Sequence, residues 1–201
     1  LQRHRNRIRL VTRRDEGGVA FAAEAYGKLA RRPAAAFVSR GPGATNASIG
    51  VHTAMQDSTP LLLFIGNVPT TSLGREAFQE IDYHKMYGAV AKAVLEPQHP
   101  RQVAEVAARA LALATSGRPG PVVVVLPKDI LDGEAGGAPP PAPGGRPAAA
   151  PDPDAVAHAA ALIDAARRPL VIAGEMVAFE RAADALVAFA EASGAGICAA
   201  Y

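Results

Sequence analysis

Ser39-Arg40-Gly41-Pro42-Gly43-Ala44-Thr45-Asn46 follows an apolar run at residues 34–38 and precedes a helical pattern, so it predicts a strand, a tight turn and a helix. Pro42 fixes its own φ and lacks an N–H, whereas Gly41 and Gly43 allow backbone angles and close approaches that a side chain would block. Such a turn can bring backbone donors and a helix N-terminus to an anionic ligand. On this pattern alone, an ordinary strand-to-helix turn explains the residues equally well.

The composition limits the classes of partner. The chain has 201 residues, with 21 Lys and Arg against 19 Asp and Glu, and its net charge of +2 gives no electrostatic case for nucleic acid. Arginines near the start alternate with apolar residues at positions 8–12, and no aromatic residues lie between them for stacking on bases. We therefore expect a strand with one solvated face at residues 8–12.

Cys198 is the only cysteine, which excludes an internal disulfide and a cysteine metal cluster. We expect it to be a small core residue. No apolar stretch has the length of a membrane span, and no signal-peptide pattern is present at the start. We therefore expect a cytoplasmic protein with no membrane partner.

Strand and helix patterns alternate along the first 132 residues. Asp15 is a plausible N-cap for the helix that follows it. Further helices are expected at residues 44–56 and 100–115, and further strands at residues 34–38, 61–65, 89–95 and 121–127. The runs at 61–65 and 121–127 are apolar throughout, as in parallel strands that are buried on both faces. This order predicts an α/β fold with a three-layer, parallel-sheet domain.

The composition changes abruptly after residue 132. Residues 133–153 are mostly Gly, Pro and Ala and read as a linker. Residues 154–201 then read as the beginning of a second, Rossmann-like domain, with helices at 155–166 and 176–192 and strands at 170–173 and 197–200. A unit this small does not bury both faces of its sheet, so we expect this domain to be truncated.

Several motifs in order resemble the pyrimidine-binding domain of thiamine diphosphate enzymes of the acetolactate synthase and pyruvate oxidase group. Beyond the turn at residues 39–46, they are Arg14-Asp15-Glu16-Gly17, Gly66-Asn67-Val68-Pro69-Thr70, Ala77-Phe78-Gln79-Glu80 and the segment around residues 120–130. Residues 168–174 are similar to the entry to the family's central domain. The resemblance implies that residues 1–132 form the pyrimidine-binding domain, incomplete at its N-terminus.

The resemblance gives Glu16 a specific role. In the family, the matching glutamate hydrogen-bonds a ring nitrogen of the cofactor's aminopyrimidine and favours the tautomer that removes a proton from the thiazolium carbon. A carboxyl group does this by sharing a proton with the nitrogen in a relatively dry site. From the residues alone, the favoured interpretation of Glu16 is an acidic residue that stabilises the start of a helix.

The remaining site predictions also follow from the resemblance. Gly41, Pro42 and Asn46 match cofactor-binding positions, as does Gln79, which reaches the cofactor region. Phe78 and Lys92 match residues of the substrate channel. Asn46 could instead be a polar residue of a helix first turn, and Lys92 a solvated lysine.

The chain also departs from the family pattern near the turn. Arg40 replaces a small residue that is common before the Gly-Pro-Gly, and Tyr83 and His84 follow the motif that contains Gln79. We expect that Tyr83 and His84 could contact substrate, although a lone histidine in such a loop is more often structural or solvated.

The resemblance implies a fragment of an enzyme that decarboxylates pyruvate, a 2-keto acid, and joins the product to a second carbonyl. The alternatives are a decarboxylase of 2-keto acids or acyl-CoA from the same family, or a non-catalytic α/β binding module. The implied cofactors are thiamine diphosphate and Mg²⁺, the latter held by a domain outside this chain, and FAD is left open. The implied assembly is a homodimer or homotetramer, and we expect these 201 residues alone to be inactive.

Overall fold

The computed structural model describes residues 4, 6–136 and 150–200 and divides the chain into two compact units, residues 1–145 and 146–201. Most of the predicted linker, residues 137–149, lies outside the described residues. Within the described ranges, no helix is long and apolar enough to cross a membrane.

The first unit contains a four-stranded parallel sheet with helices on both faces. Its elements in chain order are α1 (Glu16–Ala30), β1 (Ala34–Val38), α2 (Pro42–Gln56), β2 (Leu61–Asn67), α3 (Tyr83–Tyr87), β3 (Ala93–Leu95), α4 (Val103–Thr115), β4 (Pro121–Pro127) and α5 (Lys128–Asp132). The strand order is β1-β2-β4-β3, and every neighbouring pair is parallel. The predicted α/β fold with a parallel sheet is confirmed.

Alternate residues of the central strands face opposite layers. Leu61, Leu63 and Ile65 are fully buried against α1, α2 and α3. Val122 and Val124 face the other side, where they pack with residues of α4. Because both faces of β2 and β4 are covered, these strands are apolar at nearly every position, as their sequences indicate.

The topology places two helix N-termini together. The carboxyl end of β1 leads directly into α2, so α2 begins at the carboxyl edge of the sheet. α1 ends just before the amino end of β1, so its first residue lies at the carboxyl edge as well. The two helices lie side by side and run in the same direction. The carboxyl edge is where parallel α/β sheets bind ligands.

Three predicted elements of the first unit differ in the structure. The expected strand at residues 8–12 is wrong: the segment is exposed and pairs with no strand of the described chain. The strand expected at 89–95 shortens to Ala93–Leu95, because the N–H groups of Val90 and Ala91 both donate to the Tyr87 carbonyl in a turn. The helix expected at 100–115 opens with a short 3-10 turn, Pro100–Gln102.

The second unit contains α6 (Pro153–Asp164), β5 (Leu170–Ala173), α7 (Glu175–Phe179), α8 (Ala183–Ser193) and β6 (Gly196–Ala199), with β5 and β6 parallel. The single helix predicted at 176–192 is wrong, because the chain turns at Arg181, whose φ is +57°, and separates α7 from α8. Cys198 is exposed and does not lie in a core. Leu170 and Ile172 of β5 are 65% and 69% exposed, in keeping with a unit too small to bury its sheet.

Gly50 lets α1 and α2 approach closely. A Cβ at Gly50 would lie 2.6 Å from the Ala20 Cβ, whereas a Cβ at Gly18 would lie 3.8 Å from its nearest neighbour, the Asp15 Oδ1. We predict that Gly50→Ala lowers the free energy of unfolding by about 1–3 kcal/mol through overpacking. The matched variant Gly18→Ala should leave it unchanged or raise it by up to about 1 kcal/mol. Urea denaturation of the chain measures both, and a Gly50→Ala variant as stable as wild type would contradict this packing.

Candidate functional site

Glu16 is the first residue of α1. Asp15 caps this helix, since its Oδ1 accepts a hydrogen bond of 2.8 Å from the Gly18 N–H. The cap fixes the direction in which α1 begins, and Glu16 is half-buried beside it. The predicted N-cap is therefore confirmed, and the local sequence explains where the Glu16 carboxylate lies.

The Gly-Pro-Gly turn starts α2 next to this carboxylate. Gly41 has φ +60° and ψ −117°, which a residue with a side chain rarely adopts, and Pro42 occupies the first helical position. A Cβ at Gly43 would overlap the Ser39 Oγ and lie 3.4 Å from the Glu16 Oε1. Position 43 therefore requires glycine, because the Ser39 hydroxyl and the Glu16 carboxylate occupy the space that a side chain would take.

Asn46 connects the two helix starts. Its Nδ2 donates a hydrogen bond of 3.3 Å to the Glu16 Oε2. Among the described residues, Glu16 Oε1 accepts no hydrogen bond, and it is the oxygen that lies towards Gly43. The structure thus brings Glu16 and Asn46 together beside Gly43, in the first turn of the helix that Pro42 begins, and leaves one carboxyl oxygen available to a ligand.

The loop after β2 holds the other side of the turn. A Cβ at Gly41 would lie 2.6 Å from the Gln79 Cβ, so Gln79 packs directly on this glycine. Arg40, the large residue before the turn, donates from its Nε to the Phe78 carbonyl at 3.1 Å. Phe78 itself is 77% exposed. Gln79 and Phe78 therefore lie beside the predicted cofactor turn, and their cofactor and substrate roles stay predictions.

Two tyrosines lie behind this turn, and one of them is Tyr83, whose contact with substrate stays a prediction. Tyr83 and Tyr87 lie on α3 and are almost completely buried. The Tyr83 Oη accepts a hydrogen bond of 2.9 Å from the Gly41 N–H, and the Tyr87 hydroxyl donates to the Ala44 carbonyl. Burial raises the pKa of both phenols, so both stay protonated. Their spacing of four residues puts both on one face of α3, although a single such pair is too little periodicity to predict a helix of five residues.

His84 lines an open cavity rather than the turn. Asn67, Glu80 and Glu96 line the same cavity. The His84 Nε2 lies 3.8 Å from the Glu96 Oε2, and burial raises the pKa of Glu96. A contact between His84 and substrate stays a prediction.

Lys92 lies apart from the cluster around Glu16. It precedes β3, so it lies at the amino edge of the sheet, opposite the turn. Its Nζ donates to the carbonyls of Leu113, Ser116 and Arg118, at and just beyond the end of α4. This is a favourable position for a cation at a helix C-terminus. The structure shows Lys92 bonded to the end of α4, and a position of Lys92 in the substrate channel stays a prediction.

Glu80 organises the loop that carries Gln79. Its carboxylate accepts hydrogen bonds from the Gly74 N–H at 2.6 Å and the Ala77 N–H at 3.0 Å. These backbone donors, the Gly74 N–H first, lower the pKa of Glu80 below its ordinary value of 4.5. The ionised form therefore supports the loop at neutral pH.

A lowered pKa gives this support a defined pH dependence. The support is fully present above pH 4.5 and is lost as the pH falls through the lower pKa of the folded state. We predict that hydrogen-exchange protection of the Gly74 and Ala77 amides falls below pH 4.5 in the wild type, and that Glu80→Gln removes this pH dependence. Glu76→Gln, an exposed change in the same loop, is the control. If the protection of the Gly74 and Ala77 amides in the wild type did not change with pH, the role of the ionised Glu80 carboxylate in this loop would be contradicted.

Comparison with known proteins shows which proteins the chain is similar to. Residues 1–86 match the model of the thiamine pyrophosphate enzyme N-terminal TPP binding domain. The chain is 35% identical over 190 residues to a probable acetolactate synthase large subunit of Methanocaldococcus jannaschii, covering 92% of this chain and 32% of that protein. It is also 35% identical over 191 residues to the acetolactate synthase large subunit of Corynebacterium glutamicum, covering 94% and 30%.

A third relative is the acetolactate synthase isozyme 1 large subunit of Escherichia coli, which is 35% identical over 169 residues, with coverage of 83% and 30%. The chain thus spans about a third of the length of these relatives. The family match includes Glu16, the Gly-Pro-Gly turn, Asn46, Gln79 and Tyr83. Residues 1–86 therefore correspond to the N-terminal TPP binding domain of thiamine pyrophosphate enzymes, and the chain is similar to acetolactate synthase large subunits.

Proposed function

We propose that the full-length protein is a thiamine diphosphate-dependent acetolactate synthase, which decarboxylates pyruvate and joins the product to a second 2-keto acid. The observation that carries this proposal is the Glu16 carboxyl group at the meeting point of two helix starts, with Asn46 on one oxygen and the other oxygen open towards Gly43. The names of the three relatives give the reaction class.

The residues present fit the aminopyrimidine end of the cofactor. The flat ring would fill the space beside Glu16 Oε1, which lies 3.4 Å from the position that a Cβ at Gly43 would take. The ring also needs a carboxyl group at one nitrogen, and Glu16 Oε1 is available for that contact. Gln79, which packs on Gly41, borders the same space.

Thiamine diphosphate, when bound, supplies the electron sink for decarboxylation of a 2-keto acid. Glu16 would hold a ring nitrogen of the aminopyrimidine through Oε1 and would act there as the group that gives or accepts a proton. Asn46 holds Oε2 and thereby fixes the carboxyl plane. Phe78, exposed beside the turn, offers an apolar surface to the substrate.

The diphosphate and Mg²⁺ are assigned to a further domain of the full-length protein. In the part of the chain that the structure describes, no group of three His, Cys, Asp or Glu side chains could hold a metal ion. We also propose that the site is completed by a second subunit. The partly exposed apolar side chains of Phe21 and Ile49, on the two helices that begin at the site, are consistent with such a contact.

Glu16→Gln in the full-length protein tests this proposal. The amide keeps the shape of the side chain but does not share a proton in the same way, so we predict that kcat with pyruvate falls by about 10²–10⁴-fold. Glu105→Gln is the matched control, because Glu105 is an exposed glutamate in the first turn of α4. Near wild-type turnover of Glu16→Gln would contradict the role of Glu16. Carbon dioxide release from pyruvate without acetolactate formation would show that the protein is a simple decarboxylase and not a synthase.

A further inference from the structure

We propose that Tyr83 is a positioning residue for the cofactor site, because its hydroxyl group fixes the Gly41 peptide and thereby the start of α2. The expected effect of Tyr83 on cofactor binding rests on the proposed function. The structural part of it concerns only the residues of this chain.

The Gly41 N–H depends on a single partner. It is buried, and its hydrogen bond of 2.9 Å to the Tyr83 Oη is the only one it makes among the described residues. Gly41 lies outside the helix, as the N-cap of α2, so no helical carbonyl can replace the phenol. A buried N–H without a partner costs about 1–3 kcal/mol, so loss of the hydroxyl favours rotation of this peptide.

Rotation of the Gly41 peptide has consequences for the site. The next residues are Pro42, whose φ is fixed, and Gly43, whose Cα faces the Glu16 Oε1. A change at Gly41 therefore moves the first turn of α2 relative to Glu16. Gln79 contacts Gly41 by packing, so it does not replace the hydrogen bond that the Gly41 N–H donates to Tyr83.

Tyr87 provides a matched comparison on the same helix. Its hydroxyl also reaches the first turn of α2, where it donates to the Ala44 carbonyl. That carbonyl lies inside α2 and keeps its regular helical partner, the N–H of Ser48, when the hydroxyl is removed. Both tyrosines are buried, so Tyr→Phe costs packing and a hydrogen bond in each case. Only the change at Tyr83 leaves a backbone donor unpaired.

The experiment compares Tyr83→Phe with Tyr87→Phe by two measurements. The first is amide hydrogen exchange of Gly41 and of the first turn of α2 in the 201-residue chain, followed by NMR. The second is the dissociation constant of thiamine diphosphate for the full-length protein, measured calorimetrically with Mg²⁺ present. For Tyr83→Phe we expect Gly41 protection and cofactor affinity each to fall by about tenfold, the scale set by one unpaired buried donor.

For Tyr87→Phe we expect Gly41 protection and cofactor affinity within about twofold of wild type, although its unfolding free energy falls by about 1 kcal/mol, a typical value for one hydrogen bond. Unchanged Gly41 exchange in Tyr83→Phe, or equal loss of affinity in the two variants, would overturn the inference. A wild-type protein that binds no thiamine diphosphate would refute the proposed function instead. The exchange measurement decides the role of Tyr83 in either case.

Discussion

The close contact between α1 and α2 is the constraint on which the site depends. At Gly50 the two helices approach so closely that even a methyl group would lie 2.6 Å from the Ala20 Cβ. The helices run in the same direction from the carboxyl edge of the sheet, so this contact also brings their first residues together. Glu16 and Asn46 come from different helices, yet they share a hydrogen bond of 3.3 Å. Larger side chains between α1 and α2 would separate the Glu16 carboxyl group from the turn, even if the residues at the two helix starts stayed the same.

The segment from Gly74 to Tyr87 gives the turn its second support. Glu80 folds the loop on itself through two backbone donors, and the loop then places Gln79 against Gly41. α3 follows, and Tyr83 accepts the hydrogen bond from the Gly41 N–H. The turn is thus held between a helix interface on one side and a folded loop on the other. The Glu80 carboxylate and the Gly41 N–H are bonded within the chain, whereas Glu16 Oε1 accepts no hydrogen bond among the described residues and is therefore a position for a ligand.

The sequence predicts the parallel sheet, because the runs at 61–65 and 121–127 are apolar throughout. It also predicts the Asp15 cap and the strand-to-helix turn at residues 39–46, whose role in cofactor binding stays a prediction. It does not predict α3 or the Tyr83 hydrogen bond, since a five-residue helix has little periodicity and its contact spans 42 positions along the chain. The strand expected at residues 8–12 is wrong because alternation alone does not supply a partner strand. Lys92 shows the same limit: its charge is visible in the sequence, but the helix end that it contacts is set by tertiary structure.

The most direct test of the central claim is a crystal structure of the full-length protein with thiamine diphosphate bound. The account predicts that Glu16 Oε1 makes a hydrogen bond with a ring nitrogen of the aminopyrimidine, while the Asn46 amide stays on Oε2 and the ring lies next to Gly43. An aminopyrimidine whose ring nitrogen is paired with a different acidic residue, with Glu16 turned to solvent, would contradict it.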